Sequence, residues 1–121
     1  MARTILIVDD SASMRDLLRH TLTQSGFDVI EAENGSEALA RLQRSRCDLV
    51  ITDLNMPLMD GLSLIKAVRA LAAYKTTPLL LLTTETAEAK KAAARAAGAS
   101  GWIVKPFDPT SLMKTVGKVL P

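Results

Sequence analysis

Four short apolar runs punctuate the chain, and each ends in polar residues. They are Ile5-Leu6-Ile7-Val8 before Asp9-Asp10, Leu49-Val50-Ile51-Thr52 before Asp53, Leu79 to Leu82 before Thr83-Thr84, and Trp102-Ile103-Val104 before Lys105-Pro106. Near-continuous apolar stretches of this length fit strands covered on both faces. Phe27 to Ala32 forms a weaker run, alternating in character at Val29, Ile30 and Glu31, and predicts the second strand in chain order.

Between these runs the period becomes helical. Met14, Leu17, Leu18, Thr21 and Leu22 follow the i, i+3, i+4, i+7, i+8 spacing of one helix face. Ser13, with Asp16 three residues on, predicts its N-cap, and Gly26 a left-handed end. Ser36 to Arg44 predicts a second helix with Ala38, Leu39 and Leu42 inward, and a third carries Leu64, Ile65, Val68, Leu71 and Ala72. The fourth, Ala87 to Ala97, is almost all alanine and charge and closes at Gly98. The fifth opens with Asp108-Pro109, a cap followed by proline at the first helical position, and is expected to bury Leu112, Val116, Val119 and Leu120.

A βα pair repeated five times predicts an α/β fold with a parallel sheet, right-handed crossovers and helices on both faces. Ligands of such open sheets bind beyond the carboxyl ends of the strands. There Asp9, Asp10, Asp53, Thr83 and Lys105 would gather on one edge.

At 121 residues, nearly half of them hydrophobic, the chain predicts one domain spanning 1–121. No apolar span approaches the ~20 residues of a transmembrane helix. Met1-Ala2-Arg3-Thr4 leads directly into the first run, so a cytoplasmic protein without a signal peptide is expected. The single cysteine, Cys47, excludes an internal disulfide and is read as a small buried thiol. With a net charge of +2 and scattered cations, nucleic acid is not implied. Arg41, Arg44 and Arg46 read as a solvated helix end, and the one histidine, His20, as a surface residue.

Three neighbouring carboxylates repel one another: two unit charges ~4 Å apart at an effective dielectric of ~20 cost on the order of 4 kcal/mol. A hard divalent ion relieves this, and Mg²⁺ prefers oxygen ligands and often shares a site with phosphate. Asp10 and Asp53 are its expected ligands, with Asp9 directly or through water and the backbone carbonyl of Asn55 completing the sphere. An ionised carboxylate is a nucleophile without a general base, and phosphoryl transfer needs mainly positioning and charge neutralisation. Lys105 would balance phosphoryl oxygens and Thr83 donate to one of them. A cis Lys105–Pro106 bond is compatible with this reading. Singly, each residue has a plainer role: the Asp pair as a turn or cap, Asp53 as cap of the third helix, Lys105 as a solvated charge, Thr83 as a strand former. Their joint position at the ends of different predicted strands favours a site.

Asp9-Asp10, Asp53, Thr83 and Lys105-Pro106, with Met56-Pro57, Met59-Asp60-Gly61 and Gly98-Ala99-Ser100-Gly101 between them, resemble the receiver domain of bacterial response regulators over essentially the whole chain. The resemblance implies a flavodoxin-like sheet of order 2-1-3-4-5, of which chemotaxis receivers are a standard example. It also implies transfer of phosphate from a histidine kinase to Asp53, with Mg²⁺ required. Asp53-Leu54-Asn55-Met56-Pro57, Thr86 to Ala92 and Gly98 to Phe107 are similar to the single-domain chemotaxis branch. That branch implies a chemotaxis-type kinase, a flagellar motor switch protein and a phosphatase as partners. Pro121 directly follows the fifth helix, so no DNA-binding output domain is expected, and a monomer is expected because nothing in the sequence demands a dimer.

Asn55 and Glu85 stand where the family tunes hydrolysis, and both match the chemotaxis type, implying a short-lived phosphoryl group. Two residues depart from the pattern. Thr84 replaces a usual alanine or glycine and would narrow access to Asp53. Trp102 stands where a tyrosine or phenylalanine usually switches with the threonine, so Thr83 and Trp102 are expected as the switch pair, with a non-toggling packing role for Trp102 left open. Lys90, Lys91 and Arg95 on the fourth helix would favour an acidic partner segment, and Met56 and Met59 read as loop packing. Output would leave through the fourth helix, fifth strand and fifth helix. A phosphate sink or relay that never touches the motor is the alternative. An enzyme acting on external phosphate substrates would want a second acid at Asn55 and a covering cap, and a nucleotide enzyme would want a glycine-rich phosphate loop.

Overall fold

A computed structural model describes residues 2–54, 56, 59–84 and 88–120. Five strands, β1 (Thr4–Val8), β2 (Asp28–Ala32), β3 (Leu49–Asp53), β4 (Leu79–Thr83) and β5 (Gly101–Val104), alternate with five helices. These are α1 (Ala12–Gln24), α2 (Gly35–Arg44), α3 (Gly61–Ala70), α4 (Glu88–Ala97) and α5 (Pro109–Val119), with a 3₁₀ turn at Ala72–Tyr74. The strands form one parallel sheet of order β2-β1-β3-β4-β5, the flavodoxin-like order expected. Its register aligns Val8 with Thr52, Asp53 with Leu82 and Thr83 with Val104, so the polar ends of the strands share one edge.

The pleat sends successive side chains to opposite faces, and each face has its own core. Leu6, Val8, Val50, Leu79 and Leu81 meet Leu42 of α2, Leu64, Ile65 and Val68 of α3, and Ala94 and Ala97 of α4. Ile5, Ile7, Leu49, Ile51, Leu80 and Leu82 meet Leu18 and Leu22 of α1 and Leu112 and Val116 of α5. The edge strands are less covered: β2 fully buries only Ala32 and β5 only Ile103.

Several local expectations shift. Ser11, not Ser13, caps α1, its Oγ accepting the Met14 N–H at 3.2 Å. The Asp9 carboxylate accepts the Ser11 N–H at 2.9 Å and turns the chain two residues early, leaving Ser13 inside the helix. Asp16 pairs with Arg19 instead of capping. Leu17 fits the helical period but lies at the rim, 42 % exposed. Leu71 leaves α3 in an extended conformation, so Ala72 is exposed, and Val119 and Leu120 are half-buried. Gly26 adopts the left-handed backbone predicted for it, at φ +92°, and Gly98, which closes α4, does so too at φ +116°.

Cys47 is buried, and burial foremost, then the charge of Asp48, pushes its thiol pKa up to about 11. Arg41, Arg44, Arg46 and His20 are exposed. No helix among the described residues is long and apolar enough to cross a membrane.

Candidate functional site

Where β1 ends, the chain turns through Asp9, which is only 1 % exposed and held at four points. Its N–H donates to Ala32 O at 3.2 Å, and its carbonyl accepts from Arg15 Nη1 at 2.7 Å. Its Oδ1 accepts from Ser11, and its Oδ2 lies 3.3 Å from Lys105 Nζ. Asp10, next along, is exposed. Asp53 closes β3, buried, with its Oδ1 3.2 Å from the same Lys105 ammonium.

One carboxylate oxygen from each of Asp9, Asp10 and Asp53 falls within 4.8 Å of the others. Trans oxygens of an octahedral Mg²⁺ sit ~4.2 Å apart, so this donor set suits the ion in chemistry and in span. The charge count agrees. Three carboxylates against the Lys105 ammonium leave two negative charges, 3 − 1 = 2, which one divalent cation would offset. Lys105 is no solvated surface charge: its side chain is 17 % exposed, and its N–H donates to Thr83 O at 2.8 Å, tying it to the end of β4. The Lys105–Pro106 peptide is cis. Thr83 itself is buried at the last position of β4.

Asp53 does not cap α3. Asp60 does, its Oδ1 accepting the Ser63 N–H at 2.8 Å, which holds the Asp60 carboxyl below its ordinary range. The helix start is pressed onto the peptide that follows Asp53. Gly61 N–H donates to Leu54 O at 2.8 Å, and a Cβ at Gly61 would lie 2.6 Å from Asp53 O and 2.8 Å from Leu54 Cα. Glycine is required here by close approach. Met59 packs against Gly35 at the start of α2, and Met56 is half-buried against the core, as loop packing predicts.

Trp102 is half-buried beneath two cations of α4: Lys91 Nζ lies 4.9 Å and the Arg95 guanidinium 4.7 Å from the ring centroid. Both distances are within cation–π range. A cavity of about 10 Å³ lies among Thr83, Leu81, Ala94 and Trp102. That is room for roughly one water, far less than an indole. Thr84 is exposed.

The structure therefore brings Asp9, Asp10, Asp53 and Lys105 together, with Thr83 at the adjacent strand end. Asn55 and Glu85, also expected at the site, lie outside the described residues. Sequence reasoning missed Arg15 and its partner Glu31, 3.3 Å apart. A basic residue in the first turn of α1 gave no local signal, and the pair depends on the register that sets Ile7 beside Glu31.

A family model for the response regulator receiver domain matches residues 5–117. The chain is 42 % identical over 118 residues to chemotaxis protein CheY1 of Helicobacter pylori, covering 96 % of this chain and 95 % of that one. It is 44 % identical over 118 residues to the CheY homologue of Campylobacter jejuni, covering 96 % and 91 %. Among solved structures, chemotaxis protein CheY4 of Vibrio cholerae superposes with a TM-score of 0.96 at 49 % identity, covering 98 % of this chain and 99 % of that one.

Proposed function

This chain belongs to the response regulator receiver domain family, as a CheY-like member in two-component signalling, and from that premise we propose that Asp53 accepts a phosphoryl group from a histidine kinase to control a flagellar motor. The observation that carries the proposal is the ammonium of Lys105, 3.2 Å from Asp53 and 3.3 Å from Asp9, inside a cluster whose acids outnumber it by two.

The chemistry follows from those groups. An Asp53 carboxylate oxygen attacks the phosphorus of a phosphohistidine; the P–O bond forms as the P–N bond breaks, and the imidazole leaves with the electron pair. Lys105 offsets charge on the phosphoryl oxygens, and the Thr83 hydroxyl donates to one of them. Asp9, Asp10 and Asp53, with the Asn55 carbonyl, would hold Mg²⁺, which when bound supplies further neutralisation of phosphoryl charge. Water later cleaves the acyl phosphate, restoring the carboxylate and releasing inorganic phosphate, so no external substrate is needed. A phosphatase would act on the same bond.

Output rests on Thr83 and Trp102. Thr83 turning toward the phosphoryl group would enlarge the space beside Trp102, and an inward indole would leave Lys91 and Arg95 free on α4. The exposed product is a basic face of α4, β5 and α5 suited to an acidic segment of a motor switch protein. We propose this for a cytoplasmic, monomeric, one-domain protein that binds neither nucleic acid nor membrane. One observation favours the phosphate-sink alternative: two cation–π contacts tie the half-buried Trp102 to Lys91 and Arg95, as a packing residue would be held.

Binding to an N-terminal motor-switch peptide, with Mg²⁺ and beryllium fluoride present or absent and Asp53→Asn as control, decides between them. Tighter binding only with the mimic and intact Asp53 is the expected result. No binding in either state, with Mg²⁺-dependent phosphorylation of Asp53 intact, replaces the motor regulator with the sink.

A further inference from the structure

We propose that Arg15 is a positioning residue for the metal-binding acids, fixing the Asp9–Asp10 peptide and through it the aim of the Asp10 carboxylate. This rests on the reading that Asp9, Asp10 and Asp53 hold Mg²⁺.

The three acids are placed by different means. Asp53 is the last residue of a fully buried strand, and Asp9 is tied through its N–H to β2 and through its carboxylate to Ser11 and Lys105. Asp10 is the exposed member and lies past the end of β1, where the sheet no longer dictates its orientation. A peptide unit is planar, so the position of one carbonyl oxygen sets the N and Cα of the residue that follows. Arg15 Nη1 holds the Asp9 carbonyl at 2.7 Å and thereby sets Asp10.

The guanidinium is itself fixed. Its Nε lies 3.3 Å from Glu31 Oε1, and the other Glu31 oxygen accepts from Arg19 Nη1 at 2.6 Å. Arg19 in turn reaches Asp16 at 2.7 Å. Arg15 therefore spans from the end of β1 to β2 with a side chain only 15 % exposed. A planar fork can serve a carbonyl and a carboxylate together, whereas a lysine ammonium at the end of a flexible stem is less able to hold both.

Charge and position make opposite predictions for this residue. A cation near three carboxylates repels an incoming Mg²⁺, so its removal would tighten binding if charge alone mattered. If Arg15 positions Asp10, its removal weakens binding.

Calorimetric titration of the full chain with Mg²⁺ separates the two, alongside thermal melts of each variant. Arg15→Ala should raise the Kd about tenfold, the lower end of the effect of losing a partner that orients a ligand. Arg15→Lys should fall between Arg15→Ala and the parent. Arg19→Ala, in the same network but off Asp9, should stay within about twofold of the parent. A Kd for Arg15→Ala equal to or tighter than the parent's overturns the inference, as does an equal loss in Arg19→Ala. Should Arg15→Ala fail to fold, Arg15→Lys decides: several-fold weaker binding supports positioning, and parental binding overturns it. No Mg²⁺ binding by the parent itself overturns the metal reading and this inference together, whereas failure at Arg15 alone leaves the metal reading standing.

Discussion

β3 and α4 contribute to the same side of the protein and are held in place by different means. Every residue of β3 is buried, with Leu49, Val50 and Ile51 at 0 % exposure and α3 pressed against the peptide after Asp53. α4 buries only Ala94 and Ala97, and otherwise lies along α3 and, through Lys91 and Arg95, on Trp102. A buried leucine or isoleucine contributes ~1.5–3 kcal/mol, while an alanine has little apolar surface to give. The strand that ends in Asp53, the proposed acceptor, is thus stiff, and the helix beside the proposed switch is lightly anchored. Chemistry that depends on placement needs the first, and a two-state response needs the second, because an element can shift only where few contacts must break.

The sharpest break of this contrast is to hollow out both sides. Ile51→Ala, at a fully buried position of β3, should cost ~2–5 kcal/mol in urea unfolding, since it loses transfer energy and leaves a cavity. Ala94→Gly in α4 should cost only ~1–2 kcal/mol, through helix propensity and the loss of one buried methyl. Equal losses would mean that α4 is anchored as firmly as the sheet.

Gly61→Ala probes the stiff side beside Asp53, the proposed acceptor. Its new methyl meets Asp53 O and Leu54 Cα, backbone atoms with no rotamer to yield, and overpacking of this kind costs ~1–3 kcal/mol. The same substitution should slow phosphorylation of Asp53, read by intact mass after exposure to a small phosphodonor. Parental stability and rate would show that the α3 start yields easily and does not brace the acceptor.

The smallest effect tests whether the α3 cap contributes to that bracing. Asp60→Ala should cost ~1 kcal/mol at neutral pH. The Ser63 N–H lowers the folded-state pKa of Asp60 below its ordinary 3.8, so the contribution of the charged cap is present in full above that value. It is lost as pH falls from there through the folded-state pKa. Stability curves of parent and Asp60→Ala should therefore run parallel above pH 5 and converge in strong acid; a constant gap would mean that charge plays no part.

The strands were legible because each buried run is apolar without interruption and ends in chemistry. Asp9, Asp10, Asp53, Thr83 and Lys105 could accordingly be grouped before any fold was known. What stayed hidden depends on neighbours distant in sequence. Ser11 and Ser13 are equivalent as local cap signals, and the choice falls to Ser11 through the Asp9 carboxylate. Leu17 obeys the helical period, but period does not tell how wide the buried stripe is. The cover of Lys91 and Arg95 on Trp102 requires α4 to lie over β5, and the link from Arg15 to Glu31 requires the β1–β2 register. Nor did any pattern announce Arg69, whose guanidinium reaches carbonyls of Tyr74, Thr77 and Gly98 and joins α3 to the turn before β5.

Cys47 is the sole thiol in the chain, 3 % exposed and shifted to about 11. A thiolate is the nucleophile that adds to a maleimide, and at neutral pH this thiol is both covered and protonated. The protein therefore comes ready for site-directed spectroscopy without first being stripped of its cysteine. A single exposed position on α4, Ala93→Cys for example, will carry a spin label or fluorophore alone, and the helix can be watched in an otherwise unaltered molecule.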